Sequence, residues 1–288
     1  MKKILSTALA ASLLSTGLVA CSSDSNEASD TIKVGSTDSS QKAWQVWEDK
    51  AKEAGINLEV VNFADYSTPN QALSQHQIDA NQFQHLKFLA EYNANTGEHL
   101  VPVGSSEVVP LALFWKDHDS LDGIEGENIA IPNDPTNQAR ALHVLAAADL
   151  ITLKNKDQLS PTPADVDTKA SKVTLTPVDA AQTPAAYGDG QPAIINNNFL
   201  DRAGIDAKTA IFKDDPASPE AEPYINVLVT TEDRADDPQL QQLVEIWHSP
   251  EVQEARKQDT KGTAYPIQRS QEDLQEILDK LEQDAKQQ

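Results

Sequence analysis

The chain has 288 residues, with 45 Asp and Glu against 23 Lys and Arg and a formal net charge of −22. Such acidity argues against nucleic acid and anionic lipid surfaces as partners, because both repel an acidic protein. A single cysteine excludes a disulfide within the chain and a metal site built from several thiolates.

Residues 1–20 predict a signal peptide. Lys2 and Lys3 precede an apolar run that continues to Ala20 and is interrupted by serine and threonine, which is typical of a cleaved leader rather than a membrane span. The run ends Leu-Val-Ala-Cys, which resembles a bacterial lipobox. Cys21 is therefore expected to be lipidated and to become the N-terminus, although an uncleaved anchor is the alternative.

Residues 21–30 predict a lipidated cysteine followed by a flexible tether. After Cys21 this segment contains only small, polar and acidic residues, so it can bury almost no apolar surface. One acyl chain binds a membrane only marginally, whereas several chains hold firmly. We expect the protein to be anchored to a membrane of the cell envelope and to face the extracytoplasmic side.

The remaining chain alternates between strand-like and helical patterns. Residues 32–35 and 58–63 predict strands on either side of a helix whose apolar face carries Trp44, Trp47 and Ala51. A second series begins near residue 129 and continues through a helix and two further strands to residue 195. Such alternation is typical of βαβ units with a largely parallel sheet, so the expected fold class is α/β with two lobes.

Two further strand-like runs, residues 108–115 and 225–230, predict crossings between the lobes. Helical patterns follow the second run, first around Leu240 and Trp247 and later between Leu274 and Leu281. If the chain crosses out once and back once, residues 31–110 and 228–288 form a discontinuous first lobe. Residues 111–227 then form the second lobe.

The segment from Asp65 to His85 concentrates amides, aromatics and imidazoles. Thr68, Pro69 and Gln71 predict a capping box that starts a short helix, and residues 78–83 predict the strand that follows. Ligands of open α/β sheets bind beyond the carboxyl ends of strands. Tyr66, Phe83 and His85 are therefore expected to face one crevice. The alternative is two core aromatics and a histidine at a helix end.

Arg140 is the only formal charge between Asp134 and Asp149, in a helix otherwise rich in Ala, Leu and Val. Asp134 predicts the N-cap of this helix and Pro135 its first turn. A lone guanidinium in apolar surroundings favours an anion, because its fork matches a carboxylate and a charged hydrogen bond contributes ~1.5 to 3 kcal/mol. The alternative is an exposed arginine on the helix surface.

Asparagine residues stand where two predicted strands meet the crevice. Asn196, Asn197 and Asn198 follow the strand at residues 193–195, and Asn226 interrupts an apolar run. Their amides could bind an ammonium and a carboxylate together. Turn formation by the triple asparagine and backbone bonding by Asn226 are the alternative roles.

Signals for catalysis and for metal binding are poor. The sequence lacks the G-x-S-x-G and H-E-x-x-H motifs and any glycine loop suited to phosphate. His76 and His85 are too far apart for a local metal pair. Acidic pairs such as Asp65 and Asp79 carry little weight in so acidic a chain. We therefore expect no enzyme, no cofactor and no metal site.

The motifs together resemble the methionine-binding lipoproteins of ABC importers, the NlpA lipoprotein family. The matching motifs are Asp65-Tyr66 with Pro69-Asn70, then Ile78-Asp-Ala-Asn-Gln-Phe-Gln-His85, Pro132-Asn-Asp-Pro-Thr-Asn137 with Arg140, and Pro223-Tyr-Ile-Asn226. They occur in the family's order, and the similarity extends over residues 32–267.

The resemblance implies a two-lobed periplasmic-binding-protein fold of type II, with two crossover strands and a ligand cleft between the lobes. It implies capture of L-methionine or a close analogue for a permease and an ATPase, and we expect a monomer. The alternatives are a surface lipoprotein that binds another small solute, a methionyl dipeptide or a macromolecule, and an envelope hydrolase.

The resemblance also implies residue roles. Arg140 would grip the ligand carboxylate, Asn196 and Asn226 would hold its backbone groups, and Tyr66 and Phe83 would flank the thioether. His85 would border the side-chain pocket. Residues 182–192 differ from the family's pattern, and the triple asparagine leaves Asn197 possible in place of Asn196.

Overall fold

The computed structural model describes residues 31–156 and 158–287. The predicted signal peptide, Cys21 and the tether up to Asp30 therefore lie outside the described residues. Within the described ranges, no helix is both long enough and apolar enough to cross a membrane.

The described residues alternate between strands and helices from Ile32 to Ala285. Their strands are β1 (Ile32–Ser36), β2 (Leu58–Asn62), β3 (Ala80–His85), β4 (Leu100–Ser105), β5 (Glu107–Val108), β6 (Ala112–Phe114), β7 (Asn128–Pro132), β8 (Thr174–Val178), β9 (Ala193–Ile195), β10 (Phe212–Lys213), β11 (Asn226–Thr231) and β12 (Tyr265–Pro266). Their α-helices are α1 (Lys42–Glu53), α2 (Pro69–Ser74), α3 (Leu86–Thr96), α4 (Pro135–Ala147), α5 (Thr183–Gly188), α6 (Pro238–Trp247), α7 (Pro250–Asp259) and α8 (Gln271–Ala285).

The first sheet has the strand order β2-β1-β3-β11-β4. Strand β1 pairs in parallel with β2 and β3, whereas β11 runs antiparallel to both β3 and β4. Strand β11 begins at residue 226, yet it lies between two strands that both end by residue 105. The first lobe is therefore assembled from two separate parts of the sequence.

Three tryptophans fill the core beside this sheet. Trp44 and Trp47 lie on the buried face of α1, as their spacing predicts, and Trp247 comes from the end of α6. The ring of Trp247 lies 4.8 Å from that of Trp44 and 5.3 Å from that of Trp47. Aromatic pairs at these distances add about 0.5–1.5 kcal/mol beyond the burial of their area. The cluster fixes the C-terminal helices on the first sheet.

Helix α8 closes the first lobe. It begins after Ser270, whose side chain accepts a hydrogen bond from the backbone of Asp273, and it packs against α3 and β4. The helix buries its own Leu274, Ile277 and Leu278, as their spacing predicts. The amphipathic end of the chain is thus part of the core.

The second sheet has the strand order β10-β6-β9-β7-β8. Strand β7 pairs in parallel with β8 and β9, and β6 pairs antiparallel with β9 and β10. Helix α4 follows β7, and its buried residues include Ala141, Leu142 and Leu145. Arg140 is also among the buried residues of this helix.

Two connectors join the sheets, and both differ from the predicted crossings. The run at residues 108–115 is interrupted: β5 ends at Val108 and β6 begins at Ala112. Pro110 lies in the gap and has no backbone N–H for a strand ladder. The second run belongs to β11 inside the first sheet. The connectors themselves are residues 109–111 and residues 214–225.

The predicted capping box at α2 is wrong, although the start of the helix is right. Pro69 occupies the first turn, and Thr68 is the N-cap, but its side chain makes no capping hydrogen bond. Its backbone is helical, with φ −108° and ψ −23°, whereas an N-cap that reaches back to the helix is usually extended. The strand that follows runs from Ala80 to His85, two residues later than predicted.

Candidate functional site

A cleft between the two sheets collects all six predicted side chains. The space within it, including the part that is open to solvent, is about 390 Å³. The predicted residues that line it are Tyr66, Phe83, His85, Arg140, Asn196 and Asn226. They come from both lobes and from the start of β11, so the chain brings together residues that are up to 160 positions apart.

Arg140 is buried in this cleft, with 4% of its surface exposed. Its helix begins as predicted, since the side chain of Asp134 accepts from the backbone of Asn137 and Pro135 occupies the first turn. The guanidinium carbon lies 4.1 Å from the centre of the Tyr224 ring. The alternative of an exposed helix arginine is therefore wrong.

Both connectors hold the Arg140 guanidinium. Its Nε donates to Oδ2 of Asp214 at 2.6 Å, and its Nη2 donates to the carbonyl of Val109 at 2.9 Å. Nη1 has no hydrogen-bond partner among the described residues. The protein therefore already uses Nε and one hydrogen of Nη2. Nη1 and the second hydrogen of Nη2 remain as a pair of donors at the end of the guanidinium, called the end-on pair below. A carboxylate fits that pair.

Asn196 presents an unpaired acceptor to the cleft. Its Nδ2 donates to Oδ1 of Asn137 at 2.8 Å, whereas its Oδ1 is buried without a partner among the described residues. Asn137 is fixed in turn, because its Nδ2 donates to Asp134 at 2.9 Å. A buried acceptor without a donor costs about 1–3 kcal/mol. A ligand with N–H groups would satisfy it.

The three consecutive asparagines have different surroundings. Asn197 is buried at the cleft, and Asn198 accepts a hydrogen bond from the Tyr66 hydroxyl at 2.9 Å. All three line the cleft. Only Asn196 carries a buried side-chain oxygen without a partner in the described part of the chain, which favours it over Asn197 for contact with a ligand.

His85 combines the two predicted roles, since it caps a helix and also lines the cleft. Its Nδ1 accepts from the backbone N–H of Phe88 at 3.1 Å, so the neutral ring carries its proton on Nε2 and can donate to Asn137, 3.4 Å away. Burial, and next the nearby charge of Arg140, lower the pKa of His85 from 6.5 to about 3. The imidazole is therefore uncharged at neutral pH.

Aromatic rings form one wall of the cleft. The Tyr66 and Phe83 ring centres are 5.8 Å apart, and Phe88 lies 5.9 Å from Tyr66 and 5.8 Å from Phe83. Burial raises the pKa of Tyr66 well above its ordinary value, so the hydroxyl keeps its proton. The three rings offer an apolar surface of the kind that receives a thioether.

Asn226 lies opposite His85 in the pairing of β11 with β3. Its Nδ2 donates to the carbonyl of Glu107 at 3.3 Å, and its own carbonyl accepts from Ser106. The predicted alternative of backbone bonding is thus observed. The side chain nevertheless lines the cleft and is only half-buried.

The sequence analysis assigned no role to three of the lining residues, Gln84, Phe88 and Asn137. Phe88 follows the N-cap His85 by three residues, and side chains at that spacing are neighbours on a helix, so the spacing indicates Phe88. Gln84 and Asn137 lie within the motifs that resemble the family. Asn81, in contrast, lies below the cleft, where it donates to Asn70 and accepts from Gln84.

The cleft contains few ionisable side chains. None of the lining residues among the described ranges is Asp, Glu, Lys, Ser or Cys. The same ranges contain no cluster of three or more His, Cys, Asp or Glu side chains that could hold a metal. The cleft therefore offers one fixed cation, neutral amides and aromatic surface, which suits recognition of a small anionic or zwitterionic solute.

A second and larger groove shares Arg140 with the cleft. Its space, including the part that is open to solvent, is about 1790 Å³, and it is bordered by parts of α3, α4, α8 and the second connector. Of the six predicted residues, only Arg140 lines it. The convergence of amides and aromatics is confined to the smaller cleft.

The chain matches the NlpA lipoprotein family over residues 32–268. It belongs to that family. The resemblance drawn from the motifs is confirmed. This NlpA lipoprotein is 37% identical over 263 residues to the D-methionine-binding lipoprotein MetQ of Escherichia coli K12, an alignment that covers 89% of this chain and 95% of that protein.

Solved structures resemble the NlpA lipoprotein over most of its length. Protein PG110 from Staphylococcus aureus has a TM-score of 0.82 at 34% identity, covering 87% of this chain and 99% of the other. A nutrient binding protein from Burkholderia cenocepacia, bound to methionine, has a TM-score of 0.74 at 33% identity, covering 82% and 99%. Together with the two sheets, these likenesses confirm the predicted two-lobed α/β binding-protein fold.

Proposed function

We propose that this NlpA lipoprotein is the substrate-binding component of an ABC importer and captures L-methionine or a close analogue. Delivery to a permease and an ATPase follows from that role. The observation that carries the proposal is the buried Arg140, held by two connectors with its end-on donors unpaired at the cleft. The names of its relatives supply the amino acid.

The two charges of the ligand meet different partners in this proposal. Its carboxylate binds Nη1 and Nη2 of Arg140, and its ammonium donates to the unpaired Oδ1 of Asn196, with Asn226 as the second amide. Desolvation of a zwitterion is unfavourable unless each charged group gains hydrogen bonds. The free donors and the free acceptor meet that requirement.

The thioether side chain lies against Tyr66, Phe83 and Phe88, with His85 at the border of the pocket. A sulfur atom near an aromatic ring contributes only ~0.3 to 1.5 kcal/mol, whereas burial of a methionine side chain contributes about 1.5–3 kcal/mol. Apolar burial therefore provides most of the side-chain affinity, and shape provides the selectivity.

The protein performs no chemistry in this proposal. Cys21 carries the lipid anchor, the tether reaches to residue 30, and a monomer works on the extracytoplasmic side of the envelope. Residues 31–110 and 228–288 are assigned to the first lobe and residues 111–227 to the second, except that β11 brings Asn226 and Val227 into the first sheet. The absence of acidic and nucleophilic side chains among the described lining residues supports binding over hydrolysis.

The test is to identify what the protein carries. Ligand released by denaturing freshly purified protein is analysed by mass spectrometry, and refolded protein is titrated with L- and D-methionine by calorimetry. We expect methionine in the released fraction and a sub-micromolar or micromolar titration, about −8 to −12 kcal/mol. Heat with another solute but none with methionine would refute the assignment. Arg140→Ala should abolish binding of the small molecule, whereas a macromolecule-binding protein or a hydrolase would retain its activity.

A further inference from the structure

One amide of the second lobe reaches two side chains of the first lobe. Asn198 follows β9, whereas Tyr66 follows β2 and Asp38 follows β1. The Tyr66 hydroxyl donates to Oδ1 of Asn198 at 2.9 Å, and Nδ2 of Asn198 donates to Oδ2 of Asp38 at 3.2 Å. Both ends of this side chain are thus used across the cleft.

Asp38 is a fixed acceptor. It is 4% exposed, and its Oδ1 accepts from Ser36 at 2.8 Å and from the indole of Trp44 at 2.9 Å. Its Oδ2 lies 3.7 Å from Nη1 of Arg256. A carboxylate held by a neighbouring hydroxyl, an indole and a buried cation cannot move without breaking several contacts.

The cation behind Asp38 leads to the first connector. Arg256 donates through Nε to Oε1 of Glu107 at 2.7 Å, and its Nη2 lies 2.6 Å from the same oxygen. Glu107 belongs to β5, immediately before residues 109–111. The contact made by Asn198 is therefore linked, through buried charges, to the segment where the chain passes between the lobes.

We propose that Asn198 is a closure latch: a positioning residue that holds the two lobes together and slows the release of the ligand. Its role differs from that of Asn196, whose oxygen is free for a ligand, because both polar ends of Asn198 are occupied by protein. The effect on ligand release depends on the function proposed above, whereas the effect on lobe closure does not.

A turn residue would behave differently from a latch. Asn198 lies in a single 3-10 turn over Asn197–Phe199, and a role in that turn would not depend on the identity of residue 38. A latch requires a donor at one side of the contact and an acceptor at the other. The order of donor and acceptor can be reversed between positions 38 and 198.

The experiment uses the full chain carrying Cys21→Ser, which removes its single cysteine. Lys52→Cys and Lys208→Cys, both at exposed positions, then provide spin labels on the two lobes. Interlobe distances are measured without ligand, and methionine dissociation is measured by stopped flow. The variants are Asn198→Ala, Asn198→Asp, and Asn198→Asp combined with Asp38→Asn. Asn95→Ala, an exposed asparagine on α3, is the matched control.

We expect Asn198→Ala to increase the open fraction and to raise the dissociation rate about tenfold, since two hydrogen bonds are lost. Asn198→Asp should have a larger effect because it places two carboxylates together. The double variant should recover most of the loss. The proposal is overturned if the Asn198 variants match Asn95→Ala, or if the double variant is no better than Asn198→Asp. If wild type does not bind methionine, but the interlobe distances of the variants change in the order described, the latch stands and the proposed ligand fails.

Discussion

Asp214 joins Arg140 to both connectors of the molecule. Its Oδ2 accepts from Nε of Arg140 at 2.6 Å, and its Oδ1 accepts from the backbone N–H of Leu111 at 2.9 Å. Leu111 ends the first connector and Asp214 begins the second. The residue proposed to bind the ligand carboxylate is therefore oriented by the segments that connect the lobes.

Replacement of Asp214 should lower stability. We expect Asp214→Asn to reduce the free energy of unfolding by about 2 kcal/mol, less than the 3–5 kcal/mol typical of a fully buried pair, because Asp214 is 26% exposed. Urea denaturation without ligand measures the change. The control is Asp215→Asn, at an exposed neighbour, which should stay within about 0.5 kcal/mol of wild type. Equal losses at both positions would contradict the role of Asp214.

Arg140→Lys should show whether the end-on donors matter beyond charge. The variant keeps a cation but loses the planar fork, so we expect methionine affinity to fall about 10- to 100-fold by calorimetry. Methionine amide, which lacks the carboxylate, should bind both proteins equally weakly. The exposed Arg269→Lys should bind methionine like wild type. An unchanged affinity in Arg140→Lys would exclude bidentate recognition.

Asn196→Ala should weaken methionine binding by about 1–3 kcal/mol, because the ammonium loses a buried acceptor. The loss should be much smaller for 4-(methylthio)butanoate, which has no ammonium group. Calorimetry with both ligands completes the cycle. Asn197→Ala tests which asparagine binds the ammonium. A larger loss of affinity in Asn197→Ala than in Asn196→Ala would assign that contact to Asn197.

His85 should make stability depend on pH. Its pKa is lowered from 6.5 to about 3, so between these values the unfolded chain binds a proton that the folded protein does not. The stabilisation is complete above pH 6.5 and falls, as the pH drops towards 3, by up to about 1.4 kcal/mol per pH unit. His85→Gln should remove this component from denaturation curves measured at several pH values. His99→Gln, at an exposed site, should keep the wild-type slope.

Gly104→Ala should destabilise the first lobe without changing the cleft. A Cβ at this position in β4 would lie 2.9 Å from Cγ2 of Val244, and it would also collide with Cγ1. Overpacking of this kind costs about 1–3 kcal/mol. Thermal unfolding measures the loss, and combination with Val244→Ala should restore much of it. A neutral Gly104→Ala would mean that α6 shifts freely on the sheet.

The sequence predicts most strands and helices because their patterns are local. The spacing of Trp44 and Trp47, the proline after Asp134 and the apolar face of α8 each depend on neighbours within a few residues. Pro110 also indicates the interruption of its strand, since proline has no backbone N–H to donate to a neighbouring strand. The position of β11 between β3 and β4 cannot be predicted in this way, because pairing between distant segments leaves no local pattern.

For the site, sequence indicated which residue types converge but not what each one touches. Arg140 stood out as a lone charge, yet its contacts with Asp214 and Val109 join segments that are far apart in the chain. The free oxygen of Asn196 and the occupied amide of Asn198 could not be distinguished within three identical letters. Only the geometry separates the asparagine suited to a ligand from the one that links the lobes.

The position of β11 has a consequence for biogenesis. The first sheet cannot be completed until residues 226–231 have been synthesised, because β3 and β4 do not pair with each other directly. Contacts between such distant segments form late and slowly. The first lobe of a nascent chain therefore cannot complete its fold until about four fifths of the sequence has been synthesised, whereas the second sheet needs only residues 112–213.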